Sequence, residues 1–270
     1  MIFQQIRSAT SIITYADKRF LIDPMLAPQG TYPAIPYTVS TGKGNPDCEL
    51  PCQIEDLLNV DAVIVTHLHF DHFDETAAKL LPKHLPLFSQ SAEDAEKLNE
   101  SGFKDVRILD ENGITFSGIT LIKTPCDHGS SDAVTSFFYQ EADLEKDACG
   151  VVFKTNGEKT FYLAGDTIFY QGVSNAICQY RPQVIAVNAA GAQFPLGHAL
   201  IMNQYDVLVL MRKFPEIEVI ATHVEGVSHA TVTRSLLRDF AQENQLTKLR
   251  FLTTDKLFPF NFFAQPLRLK

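Results

Sequence analysis

Nowhere along the 270 residues do lysines and arginines gather into a run, and the chain carries a net charge of −9 with a pI near 5.3. Affinity for a nucleic-acid backbone comes mostly from clustered Lys and Arg, so this balance excludes a nucleic acid as the expected partner. No apolar stretch approaches the length that crosses a bilayer, which argues against a membrane-embedded protein. The opening MIFQQIRSATSIITYADKRF lacks a basic n-region, a long apolar h-region and a small-residue cleavage site, so it does not read as a secretory signal. Cysteine is scarce and scattered: Cys48, Cys52, Cys126, Cys149 and Cys178 suit free thiols in a reducing cytoplasm better than a disulfide framework. Cys48 and Cys52 flank Pro51, but with no second close Cys or His pair they read as loop thiols rather than a metal site. Ser/Gly linkers and charge blocks are also absent, and we expect one domain over 1–270. At 45% hydrophobic, a chain of this length buries roughly three quarters of its unfolded surface.

Against that background one stretch is dense in ligand chemistry. THLHFDHFD, residues 66 to 74, places three imidazoles and two carboxylates directly behind the apolar run DAVIVT, which reads as a buried strand. Side chains alternate along an extended segment, so His67 and His69 project to the same side as the strand leaves the sheet. Two neutral imidazoles facing one point make half a metal site. Asp71 and His72 follow at once, and a tight turn would aim them at a second point, which suggests two metals. Asp74 reads as the N-cap of a short helix, ETAAKLL, that Pro82 ends.

Around this motif the chain alternates between strand and helix signals. Residues 2 to 15 and 19 to 23 read as a strand pair with YADKR as the turn, ended by Asp23-Pro24. Asp23 either supports the site from behind or is an ordinary turn residue before proline. From 24 to 54 the chain holds six prolines and three glycines with little periodicity. Its Met25, Leu26, Tyr32, Ile35 and Tyr37 fit a pocket wall or lid, or a loop at a subunit contact. PLFSQ is a short strand, and Ser91 with Asp94 opens a helix that Gly102 closes. VRIL and GITLIKT are strands, the second leading to His128, and TSFFYQ and VVFKT continue the series. Asn156-Gly157 then turns the chain into KTFYLAGD and Asp166. QVIAVN at 183 to 188 is another buried strand, and Asn203 to Phe214 an amphipathic helix. EVIAT delivers His223, and a helix runs from near Thr231 to about Gln245. The aromatic-rich segment 247–270, with LFPFNFFAQPLRLK free of Asp and Glu, is expected to dock on its own domain or on a second copy of the chain.

His67, His69, His128, Asp166 and His223 each fall within a few residues of the C-terminal end of an expected strand, where loops at one sheet edge present ligands. The motif His-x-His-x-Asp-His, followed in order by His, Asp and His, resembles the metallo-β-lactamase superfamily over residues 67 to 223. The resemblance implies an α/β fold, a four-layer αββα sandwich with the site at one edge of its two packed sheets. It also implies that His67, His69 and His128 hold a first metal, Asp71, His72 and His223 a second, and that Asp166 bridges them. The donor chemistry agrees, since neutral imidazoles suit Zn, Fe or Mn and a carboxylate offers two oxygens for two cations. With no Cys in the motif, the expected cofactors are two divalent transition-metal ions, Zn or Mn ahead of Fe. Shorter matches, IRSATSIITY with FLIDP, AGD, GAQF, and ATHVEGVSH before TVTR, look like the L-ascorbate 6-phosphate lactonase branch. No basic residue in the loops stands ready to neutralise a phosphate.

The expectation is a cytoplasmic dinuclear hydrolase acting on a small-molecule ester, lactone or phosphodiester. The resemblance implies two cations roughly 3.5 to 4 Å apart that hold a bridging hydroxide as the nucleophile. Asp71 would orient that nucleophile and shuttle its proton, while His229 would polarise the substrate or protonate the leaving group. His223 and His229 share one short loop, so either could be the last ligand. His198 is a substrate contact or an ordinary loop histidine, and His84 a surface residue. Two other readings compete: a non-haem iron oxidoreductase on the same fold, and a metal-binding or sensing protein without turnover.

Overall fold

Strand β4 (Ala62–Ile64) shows how the sequence builds the core. The run Ala62, Val63, Ile64, Val65 is apolar at every position, as a strand covered on both faces requires. Ala62 and Ile64 enter the core between the two sheets, whereas Val63 and Val65 enter a second core beneath helices. The computed structural model describes residues 1–129, 132–142 and 144–251, together with the backbone of 267–268. Most of the 247–270 tail therefore lies outside the described residues.

Among the described residues the strands form two sheets of seven. The first runs, in spatial order, β14 (Leu267–Arg268), β1 (Ile2–Arg7), β2 (Thr10–Tyr15), β3 (Lys18–Ile22), β4, β5 (Leu87–Ser89) and β6 (Val106–Ile108). The second runs β13 (Leu249–Arg250), β12 (Glu218–Thr222), β11 (Val184–Asn188), β10 (Phe161–Leu163), β9 (Cys149–Lys154), β8 (Ile119–Pro125) and β7 (Ile114–Phe116). β3 to β6 are parallel, as are β10 to β13, while the other pairings are antiparallel. Phe20, Ile64 and Phe88 of the first sheet meet Leu121, Val151, Phe153, Phe161 and Val184 of the second in a shared core. Helices α1 (Ile54–Leu58), α2 (Glu75–Leu80) and α3 (Ala92–Glu100) cover the outer face of the first sheet. A further helix, α4 (Ala133–Glu141), lies by the loop after β11, and α5 (Gln171–Tyr180), α6 (Gln204–Lys213) and α7 (Arg234–Glu243) cover the second. This is the four-layer αββα arrangement.

The helix starts follow the capping residues. Asp74 accepts from the Ala77 amide, Ser91 from Asp94, and Thr233 from Leu236, while Asn203 and Asp206 form a reciprocal capping box. Two expectations need correction, and one helix went unexpected. The stretch 2–15 is two strands, because Ser8 (φ +52°) breaks it into β1 and β2. TSFFYQ belongs to α4 rather than to a strand: Asp132 caps it by accepting from the Thr135 amide, and Thr135 and Tyr139, four residues apart, are its buried positions. α5, for which QGVSNAICQY gives little propensity signal, is held by packing Val173, Ala176 and Ile177 on the second sheet.

Candidate metal centre

The parallel halves of the two sheets determine where the ligand residues emerge. β3 and β4 run side by side, with Ile22 opposite Ile64, and release Asp23 and the segment from Val65 at the same edge. β11 and β12 likewise align Asn188 with Thr222, so Asn188 and His223 leave together. After β4 the chain turns sharply, with the His72 and Phe73 amides both donating to His69 O at 2.9 Å. That turn separates His67 and His69 from Asp71 and His72.

Three groups of donors result, each with ligand atoms within 4.8 Å of one another: His67, His69 and His128; His67, His72 and Asp166; and Asp71, His72 and His223. The first and third share no residue, and the middle one joins them. Asp166 Oδ2 lies 3.2 Å from His72 Nε2 and 3.8 Å from both His67 Nε2 and His128 Nε2. Its other oxygen, Oδ1, accepts from Asn188 Nδ2. Asp166 thus lies between the two groups, as expected of a bridging carboxylate, with Oδ2 facing both and Oδ1 held by Asn188.

The imidazoles are aimed by what holds their second nitrogens. His67 Nδ1 lies 3.2 Å from Thr66 Oγ1, His72 Nδ1 2.9 Å from Asp23 Oδ2, and His128 Nδ1 2.8 Å from Leu200 O. His223 Nδ1 is 2.9 Å from Ser8 Oγ, so the break between β1 and β2 supplies a partner for the site. Those four present Nε2 to the clusters. His69 is reversed: its Nδ1 is 3.0 Å from His67 Nε2, and its Nε2 is 2.5 Å from Glu145 O. Asp23 is fixed in turn by Thr66, whose amide reaches Oδ1 at 2.7 Å and whose hydroxyl reaches Oδ2 at 2.8 Å. Asp23 (φ +44°) and His223 (φ +56°) both occupy the left-handed region, a backbone cost that clusters at functional sites.

Burial holds the pKa of His67 well below its usual value, with His72 and His69 adding to the effect, and lowers His69 to about 4 and His128 below normal. Neutral imidazole is the ligating form. Burial alone would raise Asp71 and Asp166, but His72, His223 and neighbouring imidazoles hold both well below the ordinary carboxylate range. For His72 burial opposes charge, yet Asp166, Asp23 and Asp71 push its pKa well up. Three buried carboxylates thus converge here, and among the described residues their ion-pair partners are histidines alone, with no Lys or Arg. Such a concentration of negative charge and imidazole lone pairs fits divalent cations, and the residues that could hold them are His67, His69, His128, Asp166, Asp71, His72 and His223.

Two residues fall outside these groups. His229 is buried and reaches the cluster through Asp71, its Nε2 being 3.2 Å from Asp71 Oδ2 while its Nδ1 has no partner. His198 is exposed on the loop after β11, where its amide donates to Thr135 Oγ1 at 3.0 Å, and it does not line the site. The loop turns outward through Gly197 (φ +95°), so the expected substrate contact at His198 has no support in this placement. His84 is exposed, as expected. The cavity over the centre is walled by Ile35, Leu144, Phe194, Leu200 and Ile201, with Thr38 and Tyr139. A larger cleft of about 380 Å³ adjoins it through His69 and Leu144. Sequence reading missed Ser8, Asn188 and Tyr139; only Asn188, a polar residue closing the apolar run VIAV, left a signal.

The layering and a His/Asp centre fed from the edges of both sheets define the class, a metal-dependent hydrolase on the metallo-β-lactamase fold. The chain belongs to the β-lactamase superfamily: the Beta-lactamase superfamily domain matches residues 18–224. The UPF0173 protein YddR of Bacillus subtilis is 42% identical over 241 residues, spanning 88% of this chain and 91% of YddR. A UPF0173 metal-dependent hydrolase of Koribacter versatilis is 28% identical over 182 residues, spanning 66% of this chain and 70% of its own. Among solved structures, an isothiocyanate hydrolase from Delia radicum gut bacteria superposes with a TM-score of 0.86 at 35% identity, covering 93% of this chain and 96% of its own. A possible metal-dependent hydrolase from Veillonella parvula superposes at 0.88 with 37% identity and the same coverage. No helix among the described residues is long and apolar enough to cross a membrane.

Proposed function

We propose that the protein is a dinuclear hydrolase of small, uncharged, apolar electrophiles, with Zn or Mn as the resident ions. The observation that carries this reading is the single Asp166 oxygen facing both donor groups beneath a cavity wall with no Lys or Arg among its lining residues. Bound there, two divalent cations would supply water of lowered pKa and positive charge opposite a developing oxyanion. His67, His69 and His128 would hold one ion and Asp71, His72 and His223 the other. Asp71 also orients the attacking water and takes its proton at a carboxylate oxygen. His229, resting on Asp71 Oδ2 with Nδ1 free, passes a proton toward the leaving group. Ile35, Leu144, Phe194 and Ile201 exclude bulk water from the space of about 20 Å³ over the centre, and an apolar substituent extends into the adjoining cleft of about 380 Å³ beside Leu68, Phe70 and Phe73.

Lactones and simple esters satisfy these demands. So do organic isothiocyanates, favoured by the likeness to the isothiocyanate hydrolase. There, water adds to the central carbon to give a thiocarbamate, which separates into an amine and carbonyl sulfide. Phosphodiesters rank last, because among the described residues no Lys or Arg lines the cavity over the centre and Lys97 in the adjoining cleft is paired with Glu145. The test is turnover by protein reconstituted with Zn²⁺ or Mn²⁺ of phenethyl isothiocyanate, δ-valerolactone and bis(4-nitrophenyl) phosphate. Hydrolysis of either neutral probe ahead of the phosphodiester is expected. Preference for the phosphodiester would overturn the substrate class.

A further inference from the structure

Tyr139 is 2% exposed, lines the cavity over the metal centre, and has a hydroxyl without a hydrogen-bond partner among the described residues. A buried, unpaired phenol oxygen is destabilising, which points to a partner it meets only when something else is bound. The ring is held on several sides. It stacks on His69 (centroids 6.3 Å, planes 20° apart) and meets His128 and Phe194 edge-on at 5.7 and 5.4 Å. Gly129, immediately after His128, lets α4 approach this closely. A Cβ there would lie 2.5 Å from Thr135 Cγ2 and 3.1 Å from Tyr139 Cε2, at a φ of +83°.

Tyr139 also borders a polar cleft containing Gln90, Asp94 and Asp147. Its ring is nevertheless fixed against His69 and His128 before substrate arrives, and its phenol is a buried donor with no partner among the described residues.

We propose that Tyr139 is a catalytic residue whose hydroxyl donates a hydrogen bond to the substrate heteroatom that gains negative charge as water adds to the adjacent carbon. In a lactone that atom is the carbonyl oxygen; in an isothiocyanate it is the sulfur or nitrogen beside the central carbon. The inference rests on the hydrolase reading above and adds a requirement to it: the substrate carries an acceptor next to the reacting carbon. A hydrocarbon wall would not discriminate on that basis, whereas a buried unpaired donor does.

Tyr139→Phe keeps the ring and its packing. In the full-length protein loaded with Zn²⁺ or Mn²⁺, it is expected to retain wild-type metal content and Tm, because the hydroxyl it deletes has no protein partner. Its kcat on phenethyl isothiocyanate or δ-valerolactone is expected to fall about 10² to 10³-fold, the worth of one donor to a developing oxyanion. Wild-type turnover with an unimpaired variant overturns the role of Tyr139 alone. A Tm lowered by several degrees overturns it too, because the hydroxyl would then be a structural bond. Absence of wild-type turnover on both probes defeats the substrate class on which the inference rests.

Discussion

Replacing Asp23 by Asn changes one atom in a side chain that touches no substrate, yet the geometry predicts loss of one metal. Asp23 Oδ1 accepts from the Thr66 amide at 2.7 Å, and Oδ2 faces both Thr66 Oγ1 at 2.8 Å and His72 Nδ1 at 2.9 Å. With a carboxylate there, His72 carries its proton on Nδ1 and offers the Nε2 lone pair to the centre. An asparagine has one acceptor and one donor. If its oxygen keeps the Thr66 amide, its NH₂ faces His72 Nδ1 and drives the ring proton to Nε2, which blocks the ligating lone pair. If the amide flips, its NH₂ meets the Thr66 N–H, a donor against a donor costing about 1–3 kcal/mol. Loss of such an outer partner typically weakens metal affinity 10 to 100-fold, about 1.4 to 2.8 kcal/mol. The assay is a competitive chelator titration of Asp23→Asn and wild type, resolving the two binding steps. We expect the weaker step to fall by that factor and the step involving His67, His69 and His128 to hold. Two unchanged steps would refute the argument that Asp23 fixes the His72 tautomer.

Asp166→Ala is expected to weaken both binding steps together, since one oxygen faces both groups, and metal content after dialysis checks this. His223→Ala removes a nitrogen 3.2 Å from His72 Nε2 and should lose one ion per chain, whereas His229→Ala should keep both and lose about 10² to 10⁴ in kcat. Metal retained in His223→Ala but lost in His229→Ala would reverse the two roles.

The parts of this protein legible in its sequence are those written in contiguous residues. The run DAVIVT and the motif behind it announce a strand and a ligand turn within fourteen positions, and Asp74, Ser91 and Asn203 mark helix starts by capping chemistry that acts over three residues. His223 and His229 could not be ranked from spacing, because six residues of loop permit either to reach inward; the structure places His223 with Asp71 and His72 and sets His229 against Asp71 Oδ2. The contact of His223 with Ser8 joins residues 215 apart and leaves no local pattern, whereas Asn188, which holds Asp166, shows only as a polar residue closing an apolar run. TSFFYQ is too short for its period to identify it, and the decisive residue, Asp132, lies outside it. Tyr139 went unnoticed with that helix, since a tyrosine's role depends on whether its hydroxyl finds a partner.

The proposed two-ion centre astride Asp166 is tested by anomalous diffraction from crystals grown with Mn²⁺. Two peaks roughly 3.5 to 4 Å apart are expected, one among His67, His69 and His128 and the other among Asp71, His72 and His223, with Asp166 Oδ2 between them. A single peak, or two that do not share Asp166, would contradict it.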